Sequence, residues 1–354
     1  MEVIKRIETR KGANLNVNGI AEKILDKTLS VNTYGLRPDD FFGTTPKLCL
    51  KEGSNILAGT PVFYSKKTPD IKIVSPVSGS IKKILRGPKR KIENIIIESS
   101  TNQESITHEV KGWKKMDINN LKQLLMESGN WSFIHQRPYG IMANPLDTPK
   151  SIFVSTAKTG PLGEDYHFVL KEDQKEFQLG IDLLNRLVDQ PVFLGLDKSY
   201  PGYFESIEGV QHYSFEGPHP AGNLSLHIQK LSPLNMNDHV WTVNPEDVVN
   251  IGRFVSSGVF SPQRTIAVSG NAVKNPKYFR TKIGAELAPI LNRVGIKLDN
   301  VRVINGDVLT GSTALISGHL GYFNNLVTVI PEGSHYRMFG WLPFKDNKIL
   351  SLSN

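Results

Sequence analysis

Three histidines, His212, His219 and His227, stand seven and eight residues apart in one stretch of the chain. An imidazole can ligate a metal, move a proton or polarise a carbonyl oxygen. A zinc site takes its ligands at closer paired spacing, often with cysteine among them, and no cysteine is near. No metal is therefore expected. His219 sits in Pro218-His219-Pro220, where each proline restricts its neighbour and the loop is stiff. A ring held in such a loop can offer a donor to a carbonyl oxygen. The competing reading, which the residues alone favour, is that His219 and His227 stitch this loop to a neighbouring module.

Other chemistries are poorly supplied. No G-x-S-x-G elbow occurs, and the one cysteine, Cys49, lies in an apolar segment with no adjacent histidine to activate it. A single cysteine excludes an intramolecular disulfide and an iron–sulfur cluster held by cysteines of this chain alone. A dinucleotide fold would open its first helix with G-x-G-x-x-G, so that backbone N–H groups reach the pyrophosphate. Thr159-Gly160-Pro161-Leu162-Gly163-Glu164-Asp165 has two glycines, and its carboxylates would repel phosphate. There is no P-loop. Gly217, Gly222 and Gly252 read as turn or close-packing positions. Phe41, Phe42, Trp131 and Tyr139 could flank an apolar ring, but such aromatics are more often core.

The elements that must position these residues begin with size. At 354 residues the chain predicts two or three domains, and 39% hydrophobic against 21% charged residues lets each bury a core. No run of about 18 apolar residues is present, so no membrane-spanning helix is expected. The opening Met1-Glu2-Val3-Ile4-Lys5-Arg6 lacks the apolar stretch of a signal peptide, and the expectation is a cytosolic chain. Of the formal charge of +8, residues 1–110 carry +6. Lys82, Lys83, Arg86, Lys89, Arg90 and Lys91 fall within ten positions. No aromatic residue interleaves them to stack a base, so nucleic acid is not expected as a partner. Two readings stay open: a solvated hairpin turn around Gly87-Pro88, or docking of lipid or a partner near an anionic membrane surface, the reading preferred.

Residues 45–85 alternate short apolar pieces with Gly53, Gly59, Pro69-Asp70 and Ser78-Gly79, which suggests a small all-β barrel or sandwich. Lys51-Glu52-Gly53-Ser54-Asn55-Ile56-Leu57-Ala58-Gly59-Thr60-Pro61-Val62 and Ser75-Pro76-Val77-Ser78-Gly79-Ser80-Ile81 resemble the two halves of a biotinyl/lipoyl barrel-sandwich. The loop between them holds Lys66 and Lys67 but lacks the residues that usually flank a carrier lysine, so neither is read as modified. Further on, Asp117 caps an amphipathic run, Ser151–Thr156 reads as a buried strand, Glu172–Val188 as a helix, and Gln190–Leu196 as another strand. Strand, helix, strand gives a βαβ unit and a Rossmann-like architecture without the nucleotide motif. Residues 262–330 give a strand at Arg264–Gly270, a helix with Pro289 in its first turn, and a strand at Val301–Asp307, a small α+β module.

Four further segments occur in order. They are Glu216-Gly217-Pro218-His219-Pro220-Ala221-Gly222-Asn223-Leu224-Ser225-Leu226-His227-Ile228, Thr242-Val243-Asn244-Pro245-Glu246-Asp247-Val248-Val249-Asn250-Ile251-Gly252, Val268-Ser269-Gly270-Asn271-Ala272-Val273-Lys274-Asn275-Pro276 and Arg302-Val303-Ile304-Asn305-Gly306-Asp307-Val308-Leu309-Thr310-Gly311. Together they resemble the NqrA family of the sodium-translocating NADH:quinone oxidoreductase, over essentially the whole chain. The resemblance implies a multidomain α/β and α+β fold. Residues 1–112 would be a barrel-sandwich hybrid, 113–260 a Rossmann-like domain and 261–330 a β-grasp module of the soluble-ligand-binding (SLBB) type. Residues 331–354, ending Lys348-Ile349-Leu350-Ser351-Leu352-Ser353-Asn354 without a closing helix, would begin a C-terminal region that is cut short. The family is related to the flavin-binding component of respiratory complex I and to the RnfC component of the Rnf complex, whose flavin loop and cluster cysteines this sequence lacks.

The implied role is a peripheral subunit on the cytoplasmic face of the bacterial inner membrane, contributing to quinone binding and reduction coupled to sodium export. Quinone would be substrate, with no cofactor bound by this chain. NADH, FMN or FAD, iron–sulfur centres and Na+ would lie on other subunits of the complex, its partners. The candidate quinone-binding residues are His219, Pro220, Gly222 and His227, and no catalytic residue is assigned. The alternative is a purely structural docking role within the complex, with quinone bound elsewhere.

Overall fold

The computed structural model describes residues 5–29, 31–197 and 202–333. The opening Met1–Ile4 and the ending on which the cut-short reading rests lie outside the described residues. The chain opens with β1 (Lys5–Glu8) and β2 (Glu22–Asp26). Then come β3 (Thr33–Leu36), β4 (Pro46–Leu48), β5 (Asn55–Ile56), β6 (Pro61–Ser65), β7 (Thr68–Val74), β8 (Gly79–Arg86) and β9 (Ile92–Ser99). These seven form two small sheets, ordered β3-β9-β8-β5 and β4-β6-β7, whose inner faces share Phe63, Ile73, Ile81, Ile95 and Ile97. This is the barrel-sandwich, and Lys66-Lys67 forms the exposed two-residue turn between β6 and β7.

The middle of the chain runs α1 (Ile118–Glu127), β10 (His135–Arg137), β11 (Ile141–Met142), β12 (Ile152–Ser155), α2 (Tyr166–Val169) and α3 (Gln174–Leu187). It continues with β13 (Val192–Leu196), β14 (Gln211–Glu216), α4 (Leu224–Leu231), β15 (Val240–Thr242) and α5 (Pro245–Ser257). Asp117 caps α1 as its position predicts, accepting the Asn119 N–H at 2.9 Å. Asn244 caps α5 by accepting from Glu246, and Pro245 follows at the first helical position, where no N–H is missed. The sheet order is β1-β14-β13-β12-β15-β10-β11. All four residues of β12 are buried, as suits a central parallel strand covered on both faces.

The winding reverses at β12. From it the chain crosses through α2 and α3 to β13 and β14 on one side, then returns through α4 to β15 on the other, all in parallel pairing. The carboxyl ends of β12 and β15 therefore diverge into a crevice, the place where open α/β sheets bind ligands. Helices α3 and α5 cross at backbone contact. A Cβ on Gly252 would lie 1.8 Å from the Glu176 carbonyl oxygen, and one on Gly180 would lie 2.1 Å from that of Val248. Gly252 is thus a close-packing position, as its sequence context suggests.

The third unit is β16 (Gln263–Ser269), β17 (Lys277–Lys282), α6 (Leu287–Val294), β18 (Val301–Asn305), β19 (Ser312–Ala314) and β20 (Leu326–Pro331). Its sheet runs β19-β18-β20-β16-β17-β2, a β-grasp with α6 packed through Leu287, Ile290, Leu291 and Val294. Two strands near the start of the chain add to the edges of the later sheets. β1 pairs parallel with β14 of the middle sheet, and β2 pairs parallel with β17 of the β-grasp. Both are short and mostly exposed, so their residues carry no apolar pattern that would declare a partner.

Candidate functional site

The crevice at the carboxyl edge of the middle sheet opens into a cavity of about 670 Å³. Its walls come from the loop after β12, the turn between β15 and α5, the segment after β14, strand β10 and two β-grasp loops. His219 stands in the segment after β14, joined to Pro220 by a cis peptide. Its carbonyl accepts the Ala13 N–H at 2.9 Å, and its own N–H donates to Asn14 Oδ1 at 3.0 Å. The chain following β1 therefore clamps the histidine loop from outside, a contact nothing in the sequence pattern announces.

Thr159, on the loop after β12, fixes the ring. Its Oγ1 accepts the Gly222 N–H at 2.8 Å and lies 3.2 Å from His219 Nδ1. With one lone pair engaged by Gly222, the hydroxyl hydrogen is free to donate to Nδ1. With the hydroxyl donating, the imidazole hydrogen sits on Nε2 and Nε2–H is an available donor; Oγ1 also keeps a second lone pair that an Nδ1–H could use instead. Gly222 is required for the same contact, because a Cβ there would meet Thr159 N at 2.7 Å and Oγ1 at 2.9 Å.

Opposite stand His135 and Arg137 of β10, with Phe323 4.5 Å from the His135 ring, edge to face. Burial, with the Arg137 charge beside it, pushes His135 down to about 4, so its ring is neutral at pH 7. Lys158, next to Thr159 on the loop after β12, pairs with the buried Glu164 at 3.0 Å. Asp307 Oδ1 accepts the N–H groups of Leu309 and Thr310 at 2.7 and 2.9 Å, which turns its loop toward the cleft.

Of the four residues singled out on sequence, His219 and Gly222 line this cleft. Pro220 instead faces a neighbouring groove with Ile7, Phe215 and Leu226. His227 is fully buried: Nδ1 meets the Tyr213 hydroxyl at 2.9 Å, Nε2 the Ala221 carbonyl at 2.7 Å, and Phe215 stacks on its ring. Burial pushes its pKa down to about 4. It holds the loop from behind, out of a ligand's reach. His212 is 2.9 Å from the Phe204 carbonyl through Nε2. Among the described residues no group of three or more His, Cys, Asp or Glu could hold a metal ion.

Trp131 and Phe41 are core, whereas Phe42 and Tyr139 are exposed. The residues that sequence reasoning missed, Thr159, His135, Arg137 and Phe323, come from three separate stretches. The Thr159-Gly160 turn was visible only as a poor phosphate loop.

The basic cluster lies on the β8–β9 hairpin. Lys82 pairs with Glu98 at 2.7 Å and Lys91 with Asp39 at 2.6 Å. Lys83, Lys89 and Arg90 are exposed there with Arg86, and Lys89 and Arg90 take φ of 54° and 60°. Among the described residues no helix is long and apolar enough to cross a membrane.

A barrel-sandwich, an α/β domain with a switch-point cleft and an SLBB β-grasp, tied by shared edge strands, define the class of protein. Profiles of known families match in the same order: the NqrA N-terminal barrel-sandwich hybrid domain over residues 7–100, the NqrA second alpha/beta domain over 116–260, and the NQRA C-terminal domain over 265–315. The chain is 33% identical over 339 residues to NqrA of the Na(+)-translocating NADH-quinone reductase of Rhodopirellula baltica, covering 94% of this chain and 74% of that one. It is 32% identical over 356 residues to NqrA from Alcanivorax borkumensis, covering 98% and 78%. The chain belongs to the NqrA family of Na+-translocating NADH-quinone reductase subunits. A solved NAD+-reducing [NiFe]-hydrogenase overlays with a TM-score of 0.43 at 13% identity, over 65% of this chain and 52% of that one, too slight a likeness to carry an argument.

Proposed function

We propose that this chain is a peripheral component of a Na+-translocating NADH-quinone reductase, and that quinone is held in the cleft beside His219. The observation that carries the reading is the Thr159–His219 contact at the switch-point cleft, which anchors the ring and, with Thr159 donating to Nδ1, makes Nε2–H a donor. That donor meets a quinone carbonyl oxygen. As the ring accepts electrons, negative charge builds on that oxygen and the same hydrogen bond strengthens. Phe323 offers a flat apolar face, and neutral His135 adds no charge that an uncharged ring would have to tolerate.

NADH, flavin, iron–sulfur centres and Na+ are assigned to other subunits. Asp307, in the pocket beside the β12 loop where Lys158 is already paired with Glu164, disfavours the phosphates of a dinucleotide or flavin nucleotide. The β8–β9 hairpin is assigned to the anionic cytoplasmic face of the inner membrane, where each exposed lysine or arginine contributes about 1 kcal/mol.

The test is quinone titration read by tryptophan fluorescence, on the chain alone and assembled with its membrane subunits. Saturable quenching is expected in the assembly. His219→Phe keeps a ring without its donor and should weaken binding about three- to tenfold, the worth of one hydrogen bond. Affinity unchanged by His219→Phe, or no saturable quenching in the assembly, would move quinone elsewhere and leave this chain with a docking role only. For the membrane contact, Lys89→Glu with Arg90→Glu should reduce flotation with anionic but not neutral vesicles. Equal flotation would remove that assignment.

A further inference from the structure

Behind the cleft, where the first turn of α5 meets β16, three ionisable side chains are sealed from solvent. Glu246 is 2% exposed, Asp247 1% and Arg264 0%. Arg264 Nη2 lies 2.9 Å from Asp247 Oδ1 and donates to the Tyr322 carbonyl at 2.9 Å, while Nη1 is 3.6 Å from Glu246 Oε2. Arg264 Nε and Nη1 make no hydrogen bond, although both are buried. Glu246 Oε1 accepts the Thr265 N–H at 2.8 Å, and Asn325 Nδ2 donates to Oε2. Asp247 lines the cleft wall, so the cluster is in reach of charge placed there.

The charge count does not close. Two carboxyl groups face one guanidinium. The other groups packed here are the Tyr166 and Tyr322 hydroxyls, which bring no positive charge, and the Lys158–Glu164 pair, which is already balanced. The amino end of α5 eases a negative charge by a fraction of a unit. A second full negative charge, uncompensated and out of water, is costly enough that a carboxyl group takes a proton instead.

We propose that Glu246, Asp247 and Arg264 form a proton-holding site at the wall of the cleft, in which the two carboxyl groups share one proton at neutral pH and take it up or release it as charge in the cleft changes. Burial, against the pull of Arg264, points the same way: it pushes Glu246 up to about 7 and raises Asp247. The role for which this suits the cleft rests on the quinone reading, since a ring that gains electrons gains negative charge. The existence of the site does not.

The test uses the full chain without quinone. An infrared pH titration should show a protonated-carboxyl C=O band that disappears as pH rises through about 7 and is lost or altered in Glu246→Gln or Asp247→Asn. Absence of such a band in the unaltered chain, or a band unaffected by both substitutions, overturns the proposal. Coupling to the cleft is read with Asn244→Asp, which keeps an oxygen to cap α5 while adding a negative charge at the cleft wall. Its midpoint should rise by about one pH unit. A midpoint that stays put would overturn the coupling of the cluster to the cleft. Both outcomes are independent of whether quinone binds, so failure of the quinone reading stays distinguishable.

Discussion

Replacing Gly252 by alanine should force α3 and α5 apart. The added Cβ would lie 1.8 Å from the Glu176 carbonyl oxygen, where ordinary contact begins at 3.4 Å. The obstacle is backbone, so no side chain can swing away, and the axes must open by roughly 1.5 Å. A gap half that size already forfeits a quarter to a half of each dispersion contact. The two helices meet at Glu176 and Gly252 and at Gly180 and Val248, and bury Phe177, Ile181 and Leu184 on α3 and Val248, Ile251 and Val255 on α5. Overpacking costs about 1–3 kcal/mol, and a backbone-to-backbone clash belongs at or above the upper end. Alanine's helix preference returns about 1 kcal/mol. The expected net loss is about 2 kcal/mol. Urea denaturation followed by circular dichroism measures it, with Gly112→Ala as control: Gly112 has φ 73° and nothing within 4 Å, so it isolates backbone strain. Gly252→Ala as stable as the unaltered chain would refute the reasoning. Because α5 begins at the cleft with Asn244 and Pro245, quinone quenching should weaken in the same variant.

His227, held near 4 in the fold against an ordinary 6.5, favours folding only while neutral. That stability is present above pH 6.5 and lost as pH falls toward 4, to a maximum of about 3 kcal/mol. Urea midpoints should show this acid slope in the unaltered chain and a shallower one in His227→Leu; equal slopes would contradict it. Arg264→Met strands two buried carboxyl groups and should cost about 3–5 kcal/mol at pH 8, and less at pH 5, below the value of about 7 to which Glu246 is raised. A loss independent of pH would count against the charge argument. Intact mass of the purified chain should equal that of the unmodified sequence, and an added lipoyl or biotinyl mass on Lys66 or Lys67 would reverse the reading of that turn.

Much of the fold was legible because local signals agreed with one another. The Asp117 cap, the stripe Phe177, Ile181, Leu184 and the apolar strand Ile152–Ser155 each have a period or a capping residue that fixes the element. Pro289 falls in the first turn of α6, where a missing N–H costs nothing. The edge strands were not legible, since Lys5–Glu8 and Glu22–Asp26 are short and polar and their partners lie far along the chain. The site was half legible. Pro-His-Pro marks a rigid loop, but whether its neighbour His227 points to solvent or to Phe215 depends on how α4 packs. Thr159 carries no signal at all until β12 and β14 are brought into one sheet on either side of β13.

The edge strands also govern the order in which this polypeptide can assemble. Lys5 waits for Tyr213 and Glu22 for Lys277, so on the ribosome these strands are made long before the partners that satisfy them. At about 5–20 residues per second, β1 stays unpaired for roughly 10–40 s after it is made. Neither later sheet is complete before that, whereas the small sheets of residues 33–99 can close at once. The nascent chain therefore carries a finished module behind two unpaired strands, and the seams between its units close last.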